Sequence, residues 1–162
     1  MASPITENPF AVLTLIAAPA VFTNASSVLA LGTANRLARV VDRTRALARE
    51  LRATPPNQSE TEMWSRQLDR LQLRASMLVR ALSYFYTAVG SFAAASLVSV
   101  LGASVAATDY KMSFATIAAI SLIAGTIGFI GLVIGCSFLV RETRLALAIL
   151  SEEARLIRAQ LR

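Results

Sequence analysis

The sequence predicts an all-α integral membrane protein. Three long helices cross the bilayer with the N-terminus outside, then extend into the cytoplasm as a helical-bundle or coiled-coil stalk. Three observations lead there. The first is the spacing of charge. No charged residue lies between Glu7 and Arg36, between Arg80 and Asp109, or between Lys111 and Arg141, intervals of 28, 28 and 29 residues. A hydrocarbon core takes about 20 residues of helix at about 1.5 Å each. Each interval therefore holds one span, placed at about 10–33, 82–106 and 114–138. The second is composition: 162 residues, 55% hydrophobic, with a mean hydropathy of +0.56. That is too apolar for an ordinary soluble domain and long enough for one compact unit. The third is the placement of the basic residues. Lys111 aside, every one of the 16 is an Arg, and all lie in 36–80 or 141–162. In a soluble protein the net charge of +6 would suggest nucleic acid. Here it follows the rule that cytoplasmic segments collect Arg and Lys, which suits a multi-pass membrane protein. Its N-terminus is then outside and its C-terminus cytoplasmic, with the bilayer rather than nucleic acid as its partner.

Taken in order, Asn8-Pro9 opens the first helix, with Asn as cap and Pro at the first helical position. A cleaved signal peptide would need a basic start, and residues 1–9 hold Glu7 and no Lys or Arg. No strong breaker follows until Thr54-Pro55-Pro56-Asn57, so the helix is expected to reach about Arg52. Ser59-Glu60-Thr61-Glu62 has the form of a capping box and opens the second helix, which should run to about Ala106. A turn over about 107–113 carries Asp109, Tyr110 and Lys111. The third helix should begin near Ser113 and continue toward Arg162. Aromatic residues suit interfacial depths: Phe10, Tyr110 and Phe114 outside, and Tyr84, Phe85, Tyr86 and Phe138 inside.

The cytoplasmic stretches carry apolar stripes at steps of three and four. On the first helix these are Leu37, Val40 with Val41, Thr44, Leu47 and Leu51. On the second they are Trp64, Leu68, Leu71, Ala75, Leu78 and Leu82. On the third they are Thr143, Leu147, Leu150, Ala154, Ile157 and Leu161. Such stripes predict that a helical hairpin over about 36–80 packs with the helix over about 141–162. The alternative, a basic amphipathic helix lying on the membrane, fits poorly with the interleaved acids and the turn at 54–58.

Within the membrane the first helix is the most unusual. Pro19 lacks an N–H and frees the carbonyl of Leu15, which predicts a kink. Thr23, Asn24 and Ser27 share one face, with Ala20 and Ala34. That polar face either clasps a neighbouring helix or lines a hydrated path. On the third helix Gly125, Gly128, Gly131 and Gly135 make a small-residue face suited to close helix packing. The second helix offers another, through Gly90, Ser91, Ala93 to Ser96, Ser99 and Gly102. Arg36, Arg39, Arg80 and Arg141 cluster at the inner boundary, where they would meet lipid phosphates or ring a pore mouth.

The sequence contains no His, and no ionisable side chain falls inside a charge-free interval apart from Cys136 and tyrosines. Phosphate-binding loops, dinucleotide fingerprints and metal-ligand clusters have no match. Neither catalytic residues nor a metal or other cofactor are expected, and the expectation is that the protein is not an enzyme. Cys136, the lone cysteine, is read as a packing residue.

The run Asn8-Pro-Phe-Ala-Val-Leu-Thr-Leu-Ile-Ala-Ala-Pro-Ala-Val, continuing through Thr23-Asn-Ala-Ser-Ser-Val-Leu-Ala-Leu-Gly-Thr-Ala-Asn-Arg36, resembles a bacterial membrane family. So does Ser91-Phe-Ala-Ala-Ala-Ser96. The family is catalogued as a domain of unknown function, number 2721. The resemblance implies a small three-helix protein of the bacterial inner membrane, its N-terminus then periplasmic, and no activity. Two functional expectations follow from the residues. One is a homo-oligomeric pore or ion-conducting protein lined by Thr23, Asn24 and Ser27. The other is a non-conducting scaffold or regulator whose stalk docks a cytoplasmic protein partner.

Overall fold

A computed structural model describes residues 9–53, 58–106 and 111–160, and the side-chain surroundings of 17–53, 61–102, 116–151, 155 and 158. The described residues form three α-helices with no strand: α1 (Pro9–Ala53, 45 residues), α2 (Gln58–Ala106, 49 residues) and α3 (Lys111–Gln160, 50 residues). At about 1.5 Å per residue these are rods of roughly 70 Å. Pro9 is the first residue of α1, as its fixed φ favours. α2 starts at Gln58, so Ser59 sits inside the helix rather than capping it. α3 starts at Lys111, two residues before the expected Ser113. The cap at Asn8 and the turns at 54–57 and 107–110 lie outside the described residues. Pro19 lies within an unbroken helical segment.

Two helices, within Thr61–Gly102 and Thr116–Ser151, are long and apolar enough to cross a membrane. Only 17% of the apolar window of the second is buried, whereas the core helix of a soluble protein is mostly buried.

The chain divides into two compact units. The first comprises the chain through Ala30 together with Tyr84–Ile134. Its buried residues are mostly small: Ser26 and Ala30 of α1, Ala88, Ala95 and Ser99 of α2, and Ser121 of α3. Val21, Val28, Leu97, Leu101, Leu122, Ile123 and Ile130 face outward. A soluble domain does the reverse, because water drives large aliphatic groups inside. In lipid that drive is absent, and small residues win the interface because they let backbones approach.

The close approach is visible at two glycines of α3. A Cβ on Gly128 would stand 3.0–3.1 Å from three ring atoms of Phe92, and one on Gly131 would stand 3.3 Å from the carbonyl oxygen of Tyr84. Gly125 differs, since nothing lies within 4 Å of its added carbon. Phe92 also stacks on Phe22 with ring centroids 5.3 Å apart, and Phe129 meets Phe22 edge-on at 6.4 Å. In this unit α2 and α3 are joined by hydroxyl groups. The Ser121 hydroxyl donates to the carbonyl of Ala95 at 3.1 Å and lies 2.8 Å from Ser99 Oγ. A hydroxyl has one proton, so Ser99 is the donor to Ser121. Phe85 is fully buried among the helices. Tyr84 and Tyr86 are exposed; the side chains of Phe10, Tyr110 and Phe114 lie outside the described residues.

The second unit comprises Leu31–Ser83 and the chain from Gly135 onward. Thr33, Val40 and Leu47 of α1 and Leu78 and Ala81 of α2 form its core. Leu37, Thr44 and Leu51 on α1, and Trp64, Leu68, Leu71 and Ala75 on α2, are half-buried on the same stripes. On α3 the expected stripe is displaced. Thr143 is exposed, and Leu147 and Leu150 are 61% and 62% exposed. The inward face runs instead through Gly135, Glu142, Leu145, Ala146 and Ile149, which is the stripe one residue earlier, about 100° round the helix. The side chains of Ala154, Ile157 and Leu161 lie outside the described residues.

Candidate functional site

Two places gather the residues singled out above. The first is the middle of α1. Its inward positions are Ser26 and Ala30, with Pro19 and Thr23 half-buried above them. Steps of four and three from Pro19 reproduce this set. Thr23 lies at its margin, while Asn24 and Ser27 point away and are exposed. The hydroxyls on this face are occupied by their own helix. Thr23 Oγ1 donates to the Pro19 carbonyl at 2.9 Å, and Ser27 Oγ donates to the Thr23 carbonyl at 2.8 Å. Such i−4 back-bonding satisfies a hydroxyl locally and leaves oxygen lone pairs as the outward-facing groups. The Asn24 amide, with two donors and an acceptor, is the strongest hydrogen-bonding group of the face.

Ser26 is the reverse case. It is fully buried, and its Oγ has no hydrogen-bond partner; Ser96 Oγ of α2 is in the same condition.

Beside Phe22 opens a cleft of about 860 Å³, walled by Pro19, Phe92, Ala95, Ser121, Leu122, Gly125, Thr126 and Phe129. Its two hydroxyl protons are already used, Thr126 donating to the Leu122 carbonyl at 2.8 Å and Ser121 to Ala95. This wall offers hydrocarbon a place to lie and offers an ion almost nothing. Gly125, counted with the packing glycines, opens into this cleft, whereas Gly128, Gly131 and Gly135 are buried.

The second place is in the other unit, where Glu142 is buried with its side chain 3% exposed. Arg74 Nε and Nη2 both donate to its Oε1, at 2.9 and 2.8 Å. Arg36 Nη1 stands 3.8 Å from Oε2 and donates to Thr143 Oγ1 at 3.2 Å. Charge-assisted bonds of this length are roughly twice as strong as neutral ones. The exposed ion pairs Arg45–Asp42 and Arg66–Glu62, at 4.0 and 3.8 Å, are worth little by comparison.

The four arginines grouped from sequence therefore separate. Arg36 and Arg39 line one pocket with Arg43 and Arg74. Arg80 and Arg141 are exposed and do not line it. Sequence reasoning missed Arg74 and Glu142. The signal was available: continuing the glycine positions of α3 by steps of three and four from Gly135 lands on Glu142.

The model of a family described as "Protein of unknown function (DUF2721)" matches residues 16–152 of this chain. No curated protein and no solved structure matches it significantly.

Proposed function

We propose that this chain, which belongs to the DUF2721 family, is a multi-pass membrane protein. In this reading its copies assemble through the outward face of α1, and Asn24, with Thr23 and Ser27, lines a narrow polar path between them. The observation that carries the proposal is the exposure of Asn24 among exposed Val21 and Val28. Asn24 precedes Arg36, the first charge after the uncharged run, by 12 residues, or about 18 Å of helix. That places it near mid-depth of a hydrocarbon core about 30 Å thick. A carboxamide facing lipid there loses its water and gains nothing, so a second copy or a file of water must meet it. α1 thereby becomes the third span beside α2 and α3. The arginine distribution orients the N-terminus outward.

Reconstituted protein should conduct a small ion or polar solute across liposomes, and Asn24→Leu should abolish the flux. No flux under any ion gradient, or flux indifferent to Asn24→Leu and Thr23→Val, would remove conduction from the proposal.

The second reading, a non-conducting scaffold or regulator, is favoured by Leu147 and Leu150. Both are exposed on the part of α3 assigned to the cytoplasm, where apolar groups gain by being covered. Replacing both with Ser should then release a partner that co-purifies with the wild type, while flux, if present, persists.

A further inference from the structure

We infer that the pocket formed by Arg36, Arg39, Arg43 and Arg74 around Glu142 is a binding site for a phosphorylated ligand bearing at least two negative charges. The pocket, of about 400 Å³, is lined by four arginines and by Glu142 as its one acidic residue. Glu142 neutralises one positive charge and holds two of the arginines, Arg74 by two short bonds and Arg36 by an ion pair. Arg39 and Arg43 have no acidic partner among the described residues. Four like charges facing one cavity repel each other, and an excess of three is left after Glu142. A multiply charged anion removes that repulsion.

The geometry favours phosphate over a diffuse cloud of counterions. Arg36, Arg39 and Arg43 recur at three and four along α1 and so line the pocket from one wall, each with a planar fork suited to phosphate oxygens. Arg74 faces them from α2, oriented from behind by a buried acid. Positively charged side chains held by a carboxylate lose less conformational freedom when a ligand arrives. The space exceeds one phosphate group and accommodates a diphosphate or a phosphomonoester with the start of what it is attached to. A lipid headgroup and a free phosphorylated solute share this chemistry.

The test uses the full chain in neutral detergent and in phosphatidylcholine nanodiscs. Inorganic pyrophosphate is titrated calorimetrically against sulfate at equal ionic strength. In a second arm, nanodiscs carry a few mole per cent of phosphatidic acid, and retained lipid is counted by native mass spectrometry. Arg39→Gln with Arg43→Gln removes the two unpaired pocket arginines without touching Glu142. Arg49→Gln with Arg52→Gln removes the same charge from exposed positions of α1 outside the pocket. Circular dichroism checks that both variants keep the wild-type helicity. The pocket variant should lose at least tenfold in affinity, and the control less than threefold. Pyrophosphate binding alone assigns the site to a free anion; phosphatidic acid retention alone assigns it to a headgroup. Equal losses in the two variants, or no binding of either probe beyond sulfate, would overturn the inference.

Discussion

Replacing Arg74 by Ala should destabilise the protein far more than replacing Glu142 by Leu, although the two side chains make the same contact. Arg74→Ala removes both hydrogen bonds on Glu142 Oε1, at 2.9 and 2.8 Å, and leaves a carboxylate 3% exposed. Breaking a buried pair by deleting one partner costs about 3–5 kcal/mol, because the remaining charge is left without water. Here Arg36 remains 3.8 Å from Oε2 and offsets part of that cost, so about 2–3 kcal/mol is expected. Glu142→Leu leaves two arginines whose side chains are 48% and 29% exposed. Those groups reach solvent, which screens the positive charge that Glu142 no longer neutralises, for a cost of about 1 kcal/mol. In the double variant the cost of Arg74→Ala should vanish, giving a coupling of about 2 kcal/mol. Unfolding in mixed micelles of rising SDS fraction, followed by far-UV circular dichroism, reads these differences. Equal effects of the two single variants, or additive effects in the double, would refute the reasoning that the buried carboxylate sets the cost.

Other consequences concern the first unit. Gly128→Ala should destabilise by about 1–3 kcal/mol, since its Cβ would meet three ring atoms of Phe92 at 3.0–3.1 Å. Gly125→Ala, with nothing within 4 Å, should be neutral or stabilising by up to about 1 kcal/mol through helix propensity. The same unfolding assay compares them. Ser26→Ala should leave stability unchanged or raise it, because its buried hydroxyl has no partner. Ser121→Ala should cost about 1 kcal/mol, in line with interhelical hydroxyl bonds in membranes, by removing the link to Ala95 and Ser99.

Much of the helical framework is legible in the sequence because its signals are local. Pro9 and the Pro55-Pro56 pair mark the ends of α1 to within a residue or two, and the uncharged intervals 81–108 and 112–140 overlap the two helices that are long and apolar enough to cross a membrane. Which side of each helix faces inward is less local, and there apolarity misleads. On α3 the choice of Leu147 and Leu150 over Glu142 and Ala146 follows the rule that large aliphatic residues turn inward. That rule fails where a carboxylate is held by two arginines from other helices, a pairing that no spacing within one helix reveals. On α1 the polar cluster at Thr23, Asn24 and Ser27 stands out by composition, yet Ser26 is the residue that turns inward. Small hydroxyl residues pack like alanine and leave no hydrophobic contrast to read. The arginine cluster illustrates the same limit. Arg36 and Arg39 group by proximity in sequence, but Arg74 joins them through the tertiary contact with Glu142.

The proposal that copies of this chain meet through the outward face of α1 is tested most directly by disulfide trapping in native membranes. Single cysteines are placed at Asn24 or Ser27, or at Leu101 or Ile123 on the exposed surfaces of α2 and α3, in a Cys136→Ser background. Asn24→Cys and Ser27→Cys should form covalent dimers within the bilayer, while Leu101→Cys and Ile123→Cys should remain monomeric. Absence of dimers at Asn24→Cys, or equal trapping at all four positions, would contradict the proposal.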